Sequence, residues 1–428
     1  MLIRRATLLD GSRVDIRVGD RIDAVADTLA RRRGEVVLDA DAMTVVPGLH
    51  DHHVHIRSAA AASGSLRVGP DTVTDRAGLG AALRAAAVGE DGWIRAIDYH
   101  EAAAGPLDRR ALDELAPEVP VRIQHRSGVL WTVNSAGLRR LGLADHPDGR
   151  LRSADHSWRA QRRELELGAW SRQLLGYGVT GITDATPGSD PDDLHAARRS
   201  GELVQRLHVL APGKRILHDD ALDLAELTDW VRLRHAGEVP VALHCVTGAQ
   251  LVVAIAALRA AGMHDRDRIE HAAVVPADCV PDLAELGVTV VTQPNFVAER
   301  GDRYLVEVPA DEHDELWRVA TLVDAGVRVA LSTDTPFGRG DPWAAMRAAV
   351  SRRTPDGVVL GPHERVDAPT ALALFSGSGR RPDVPRAVRP GQPGDLLVLA
   401  AAPRQVLAEL DAGAVRAVIL AGEIVHHR

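Results

Sequence analysis

Apolar and polar positions alternate in two styles along the chain. Residues 1 to about 46 fall into short alternating segments, IRRATLLDG, VDIRVGDRIDAVAD and EVVLDADAMTVV, broken by Gly and Asp turns. The same style returns in GDLLVLAA and AVRAVILAGEIVHHR, after the Pro/Gly-rich stretch RRPDVPRAVRPGQPG. Alternation with period two predicts strands, so residues 1–46 and 385–428 are expected to form one composite small β domain in which the chain ends share a sheet.

Between them, over residues 47–384, short β-branched runs alternate with Ala/Leu/Arg-rich helical stretches. VPVALHCV precedes AQLVVAIAALRAAG, GVTVVTQP follows, and GVRVALSTDTP precedes DPWAAMRAAVSRR. This is the pattern of repeated βα units around a parallel sheet, and it predicts an α/β protein with a (β/α)₈ TIM barrel. WIRAIDYHE, VPVRIQHRSG and GVTGITDAT also read as strands, more than a barrel needs, so an insertion is expected at about 57–165. RLHVLAPGKRIL is too short for two parallel strands joined by a crossover and reads as one long bent strand.

Composition narrows the function. The chain has 428 residues, a formal net charge of −8 and 45% hydrophobic residues. That is globular, and the acidic balance argues against a nucleic-acid or anionic-membrane partner. Two cysteines, Cys245 and Cys279, imply no disulfide framework. MLIRRATLLDGSRVDIRVGD reaches a turn and charges too early for a signal peptide, and no later apolar run is long enough to span a bilayer, so a cytoplasmic protein is expected. Of 51 lysines and arginines, Lys214 alone is lysine. Under such arginine bias a retained lysine points to amine chemistry that a guanidinium cannot perform.

The strongest local pattern is VVPGLHDHHVH. On a strand, positions i and i+2 share a face, so His53 and His55 can present two imidazoles to one ion, while His50 and His52 fall off that face or outside the motif. Four single residues add to the pattern. His244 ends VALH, His271 ends RIEH, Asp334 ends VALSTD, and Lys214 precedes them. Polar residues gathered at the C-terminal ends of barrel strands are where chemistry is expected. Tyr99, His100, Arg126, Asn134, Asp184 and Gln293, also near strand ends, are candidate substrate contacts. Cys245 points away from His244 and reads as a buried thiol.

Together, PGLHDHHVH, GVTGITDAT, HCVTGAQL, DRIEHA, VVTQPNF, STDTPFG, PGDLLVL and AVILAGEIV resemble the amidohydrolase superfamily, in particular its YtcJ-like branch, which includes N-substituted formamide deformylases. The resemblance runs over most of the chain. It implies that His53 and His55 bind one metal and that His244 and His271 bind another. Asp334 would bind the first and shuttle a proton, and Lys214 would carry CO₂ as a carbamate bridging both. Zn²⁺ is the expected ion, with Mn²⁺, Fe²⁺, Co²⁺ or Ni²⁺ as alternatives.

The implied reaction is hydrolysis of a C–N bond in a small molecule by metal-activated water. Ester, lactone or carbamate hydrolysis, a mononuclear deaminase and a non-catalytic barrel are the alternatives, and homo-oligomerisation stays open. The residues after His244, Cys-Val-Thr-Gly, lack the glutamate that such deaminases place there. RSGVLWTVNSAGL also departs from the branch: Ser127 and Val129 stand where an acid and a histidine would fall, which bears on the substrate and not on the metals.

Overall fold

Eight short runs of β-branched and polar residues become parallel strands in the computed structural model, which describes residues 1–116, 118–128, 130–152 and 167–428. They are β1 (Leu49–Val54), β2 (Val179–Asp184), β3 (Arg206–Val209), β4 (Lys214–Ile216), β5 (Ala242–Cys245), β6 (Arg268–His271), β7 (Thr289–Thr292) and β8 (Arg328–Leu331). Two parallel runs result, ordered β3-β2-β1 and β4-β5-β6-β7-β8. The end of β8 is joined to the end of β1, because Asp334 N donates to His53 O at 3.0 Å and His55 N donates to Thr335 O at 2.9 Å.

Parallel strands covered on both faces are buried almost without interruption, as β1, β2, β6 and β7 are. Helices between the strands supply the cover. In Gly248–Ala261, Leu251, Ala254, Ile255 and Leu258 form a buried stripe at helical spacing. Truncating Leu251 to alanine there would cost about 2–5 kcal/mol. Thr247 caps this helix by accepting from Gln250 N at 3.2 Å, and Asp223 caps Leu224–Ala236 by accepting from Glu226 N at 3.0 Å.

RLHVLAPGKRIL provides both β3 and β4, separated only by residues 210–213. The first half pairs with β2 and the second with β5, so the chain bends while keeping its direction. Gly213 sits in the bend, where a Cβ would lie 2.0 Å from Pro240 O. Gly48 has a similar cause: a Cβ there would meet the Thr180 hydroxyl at 2.3 Å.

The two chain ends share one sheet. Thr44–Pro47 pairs antiparallel with Leu396–Leu399 and adjoins Leu2–Thr7, around a core that includes Ile3, Ile16, Val45, Leu396, Val398 and Ile419. The chain divides into two compact units. One is Met1–Ile56 with Leu167–Arg428, and the other is Arg57–Glu166. The second unit holds a five-stranded mixed sheet that includes Ile94–Tyr99 and Val121–His125. Among the described residues no helix is long and apolar enough to cross a membrane.

Candidate metal centre

The last residues of β1 and the segments after β6 and β8 bring the sequence-predicted ligands together. His53 Nε2 lies 3.6 Å and His55 Nε2 3.3 Å from Asp334 Oδ1. Ligand atoms from these three residues all fall within 4.8 Å of one another. The His271 ring is 4.6 Å from that of His53 and 4.3 Å from that of His244, and His271 Nδ1 is 3.9 Å from Asp334 Oδ2.

Backbone conformation places two of these groups. On β6 the alternation of side chains would send Glu270 and His271 to opposite faces. His271 adopts φ 71° and Ala272 φ 46°, which breaks the alternation, and both Glu270 and His271 turn toward the site. Asp334 is also left-handed, at φ 56°. Such conformations cost on the order of 1–3 kcal/mol each in non-glycine residues and concentrate at functional sites.

The hydrogen bonds around the rings fix which nitrogen is open. Thr186 Oγ1 lies 3.1 Å from Asp184 Oδ1 and gives its proton to that carboxylate, so it must accept from His55 Nδ1 at 3.1 Å. Gln293 donates its amide nitrogen to Ser332 Oγ at 2.9 Å and to Val291 O at 3.3 Å, which leaves its Oε1 to accept from His271 Nδ1 at 2.8 Å. Glu270 Oε2 accepts from His53 Nδ1. In all three rings Nδ1 carries the proton and Nε2 keeps its lone pair, as metal-binding histidines require.

Among the described residues, His53 Nε2, Asp334 Oδ1 and Lys214 Nζ are buried and find no hydrogen-bond partner. Buried polar atoms are rarely left so. Neutral imidazole nitrogens and a carboxylate oxygen around one point form a donor set that fits a divalent cation. Burial holds His53 and His271 well below the ordinary histidine pKa and lowers His244 to about 3, so these rings stay neutral.

Lys214 is the first residue of β4, not the last, and pairs with Ala242, two residues before His244. Two residues of strand are about 6.6 Å, a distance that the four-carbon stem of lysine spans. Burial lowers its pKa to about 8, against the opposing pull of Glu270 and Asp334.

Several expected substrate contacts have other occupations. Asp184 accepts from Ile56 N and from Thr186, so it steadies the loop that orients His55. Gln293 acts on His271. Asn134 is fully buried as a helix cap: its oxygen accepts from Val121 N and Gly137 N, and its nitrogen donates to Ala116 O and Val119 O, which leaves nothing for a ligand. Tyr99 commits its hydroxyl to Gly105 O. His100 caps Glu101–Ala104, accepting from Ala102 N at 3.1 Å. Arg126 is half-buried in the turn after Val121–His125, Ser127 bonds His125, and Val129 lies outside the described residues. His50 and His52 are buried and stacked at 4.6 Å, with His50 Nε2 on Thr183 Oγ1 at 2.8 Å.

Two further features belong to the site. Sequence reasoning passed over Glu270 and Arg268, although their i, i+2 spacing on a buried strand was a visible sign of an interior ion pair. Phe337 packs edge-on to His55 at 5.1 Å and forms an apolar wall. A pocket of about 120 Å³, lined by His208, Val241, Arg268, Thr289 and Arg380 among others, adjoins the N-terminal ends of β5 to β7, away from the ligands.

A family model described as the amidohydrolase family matches residues 36–426, and the chain belongs to that family of enzymes. Over 123 residues it is 34% identical to an N-substituted formamide deformylase from Arthrobacter pascens, a stretch covering 27% of this chain and 22% of that protein. The fold is similar to that of an uncharacterized metal-dependent hydrolase from Pyrococcus horikoshii OT3, with TM-score 0.77 and 18% identity over 97% of this chain and 99% of the other. It is also similar to a mutant atrazine chlorohydrolase from Arthrobacter aurescens TC1 complexed with zinc and atraton, with TM-score 0.59 and 15% identity over 100% and 95% of the two chains.

Proposed function

We propose that this chain is a metal-dependent hydrolase on a (β/α)₈ barrel that cleaves a non-peptide C–N bond of a small molecule, in an amide, an N-formyl or N-acyl group or a cyclic amide. The observation that carries the reading is that His53, His55 and His271 have their Nδ1–H groups held by protein acceptors, which leaves the Nε2 lone pairs of His53 and His55 facing Asp334. His53, His55 and Asp334 would hold one ion and His244 with His271 a second, with Zn²⁺ the first candidate. A divalent ion supplies Lewis acidity that makes water nucleophilic near neutral pH and polarises the substrate carbonyl.

The residues do the rest. Asp334 takes the proton from the attacking water and delivers it to the amine nitrogen as the C–N bond breaks, since an unprotonated amine leaves poorly. Lys214 would take up CO₂, its neutral amine forming the N–C bond and releasing one proton to solvent, to give an anionic oxygen donor for the ions. Burial, which lowers its pKa to about 8, raises the share of neutral amine able to react near pH 7. Phe337 sets an apolar ring edge-on against His55.

Partial identity to an N-substituted formamide deformylase makes N-substituted formamides the first substrates to test. Protein reconstituted with Zn²⁺ is assayed against N-formyl, N-acyl, cyclic-amide and ester panels, with and without chelator. Amide turnover that chelator abolishes and Zn²⁺ restores is expected. Turnover of esters alone would overturn the C–N assignment, and failure to take up any divalent ion would overturn the metal reading.

A further inference from the structure

We propose that Glu270 and Arg268 form a charged clamp that sets the metal affinity of His53, a positioning role that rests on the reading of His53 as a ligand. Glu270 is fully buried, and its Oε2 receives the His53 Nδ1 proton. Arg268, 3% exposed, grips the same carboxylate from Nε to Oε1 at 2.7 Å and from Nη2 to Oε2 at 3.1 Å. The same Nη2 donates to His52 O at 2.7 Å. The clamp is therefore tied to β1 one residue before the ligand it orients.

The three oriented rings differ in what holds them. His55 rests on a hydroxyl and His271 on an amide, both neutral, while His53 alone rests on a carboxylate. A negative acceptor draws the Nδ1 proton more strongly and leaves more electron density on Nε2, so His53 is the strongest imidazole donor of the three. The bidentate guanidinium of Arg268 pairs the carboxylate on both oxygens and fixes its orientation toward His53. A salt bridge serving the core alone would stabilise the fold without changing metal affinity, and this separates the two roles.

Glu270→Gln keeps the shape and one acceptor and removes the charge. Zn²⁺ affinity, read by competition with a chromophoric chelator, is expected to fall about 10–100-fold, with Glu270→Asp recovering part of the loss. The Co²⁺ spectrum of the variant should shift as the ligand field weakens. Leaving Arg268 buried and unpaired can cost folding, so the double variant Arg268→Met/Glu270→Gln, which removes both charges, is measured beside it and should show the same loss of affinity. Wild-type affinity in the folded variants would overturn the clamp while leaving the metal centre intact. A wild-type protein that binds no ion would instead overturn the functional reading on which the clamp rests.

Discussion

Two histidine-rich clusters in this chain look alike at the level of distance. His53, His55 and Asp334 bring three ligand atoms within 4.8 Å of one another, and so do His100, Glu101 and His125 in the Arg57–Glu166 unit. Their ring nitrogens are used in opposite ways. In the first cluster Nδ1 donates to a carboxylate or hydroxyl and Nε2 is open. In the second, His100 Nδ1 accepts from Ala102 N and His125 Nδ1 accepts from Ser127 N, each at 3.1 Å. A neutral ring that accepts at Nδ1 carries its proton on Nε2, and His125 Nε2 accordingly faces Glu101 Oε2 at 3.2 Å. Proximity makes both clusters candidates, and the partner of the far nitrogen selects one.

The largest expected effect comes from breaking the selected cluster. His53→Ala or His55→Ala should lose bound metal and bring turnover to background while the protein stays folded, whereas His125→Ala should keep the wild-type metal stoichiometry. Elemental analysis of the folded variants checks this, and full metal in His55→Ala would remove it from the ligand set. Asp334→Asn comes next. It should retain part of the metal and lower kcat by about 10²–10⁴-fold, because an amide coordinates weakly and cannot shuttle a proton. Near-normal kcat would exclude Asp334 as the base.

Lys214→Arg should be as damaging to turnover as Lys214→Ala, since the site needs a carboxylatable amine and not a positive charge. Short carboxylic acids should partly rescue the alanine variant. A fully active Lys214→Arg enzyme would remove the carbamate. Gln293→Leu sharpens the comparison more gently. It leaves the His271 Nδ1–H without its acceptor, at a cost of about 1–3 kcal/mol, and should weaken metal binding about 10–100-fold. Unchanged affinity in a chelator competition would mean that the far nitrogen does not matter.

The smallest effect is a pH dependence of the metal-free protein. His244, lowered to about 3, and His53 and His271, also lowered, are neutral when folded but take up protons near pH 6.5 when unfolded. The unfolded state therefore binds more protons between about pH 6.5 and 3, and stability falls as pH falls through that window. Denaturant midpoints measured from pH 8 to pH 4 should decline below about pH 6.5. A flat profile would mean that the rings are not held neutral.

Much of this was legible in the sequence because strand periodicity is simple. His53 and His55 share a face by the i, i+2 rule, and His244 and His271 stand at strand ends that the apolar runs mark out. What was not legible depends on departures from that rule. Alternation places Glu270 behind His271, and only the left-handed backbone at His271 and Ala272 turns both inward. Lys214 falls within a segment that reads as one long bent strand, yet the bend at residues 210–213 splits that segment and puts Lys214 at the start of β4. Asp184, Gln293 and Asn134 carry the polar character of substrate contacts. Their hydrogen bonds go to Thr186, to His271 and to a helix end, and composition does not distinguish those partners from a ligand.

The most direct test is an anomalous diffraction map collected at the zinc absorption edge on crystals of protein loaded with Zn²⁺. The account predicts a peak within bonding distance of His53 Nε2, His55 Nε2 and Asp334, and none at His100, Glu101 and His125. A peak at the second cluster without one at the first, or no peak at either, would contradict it.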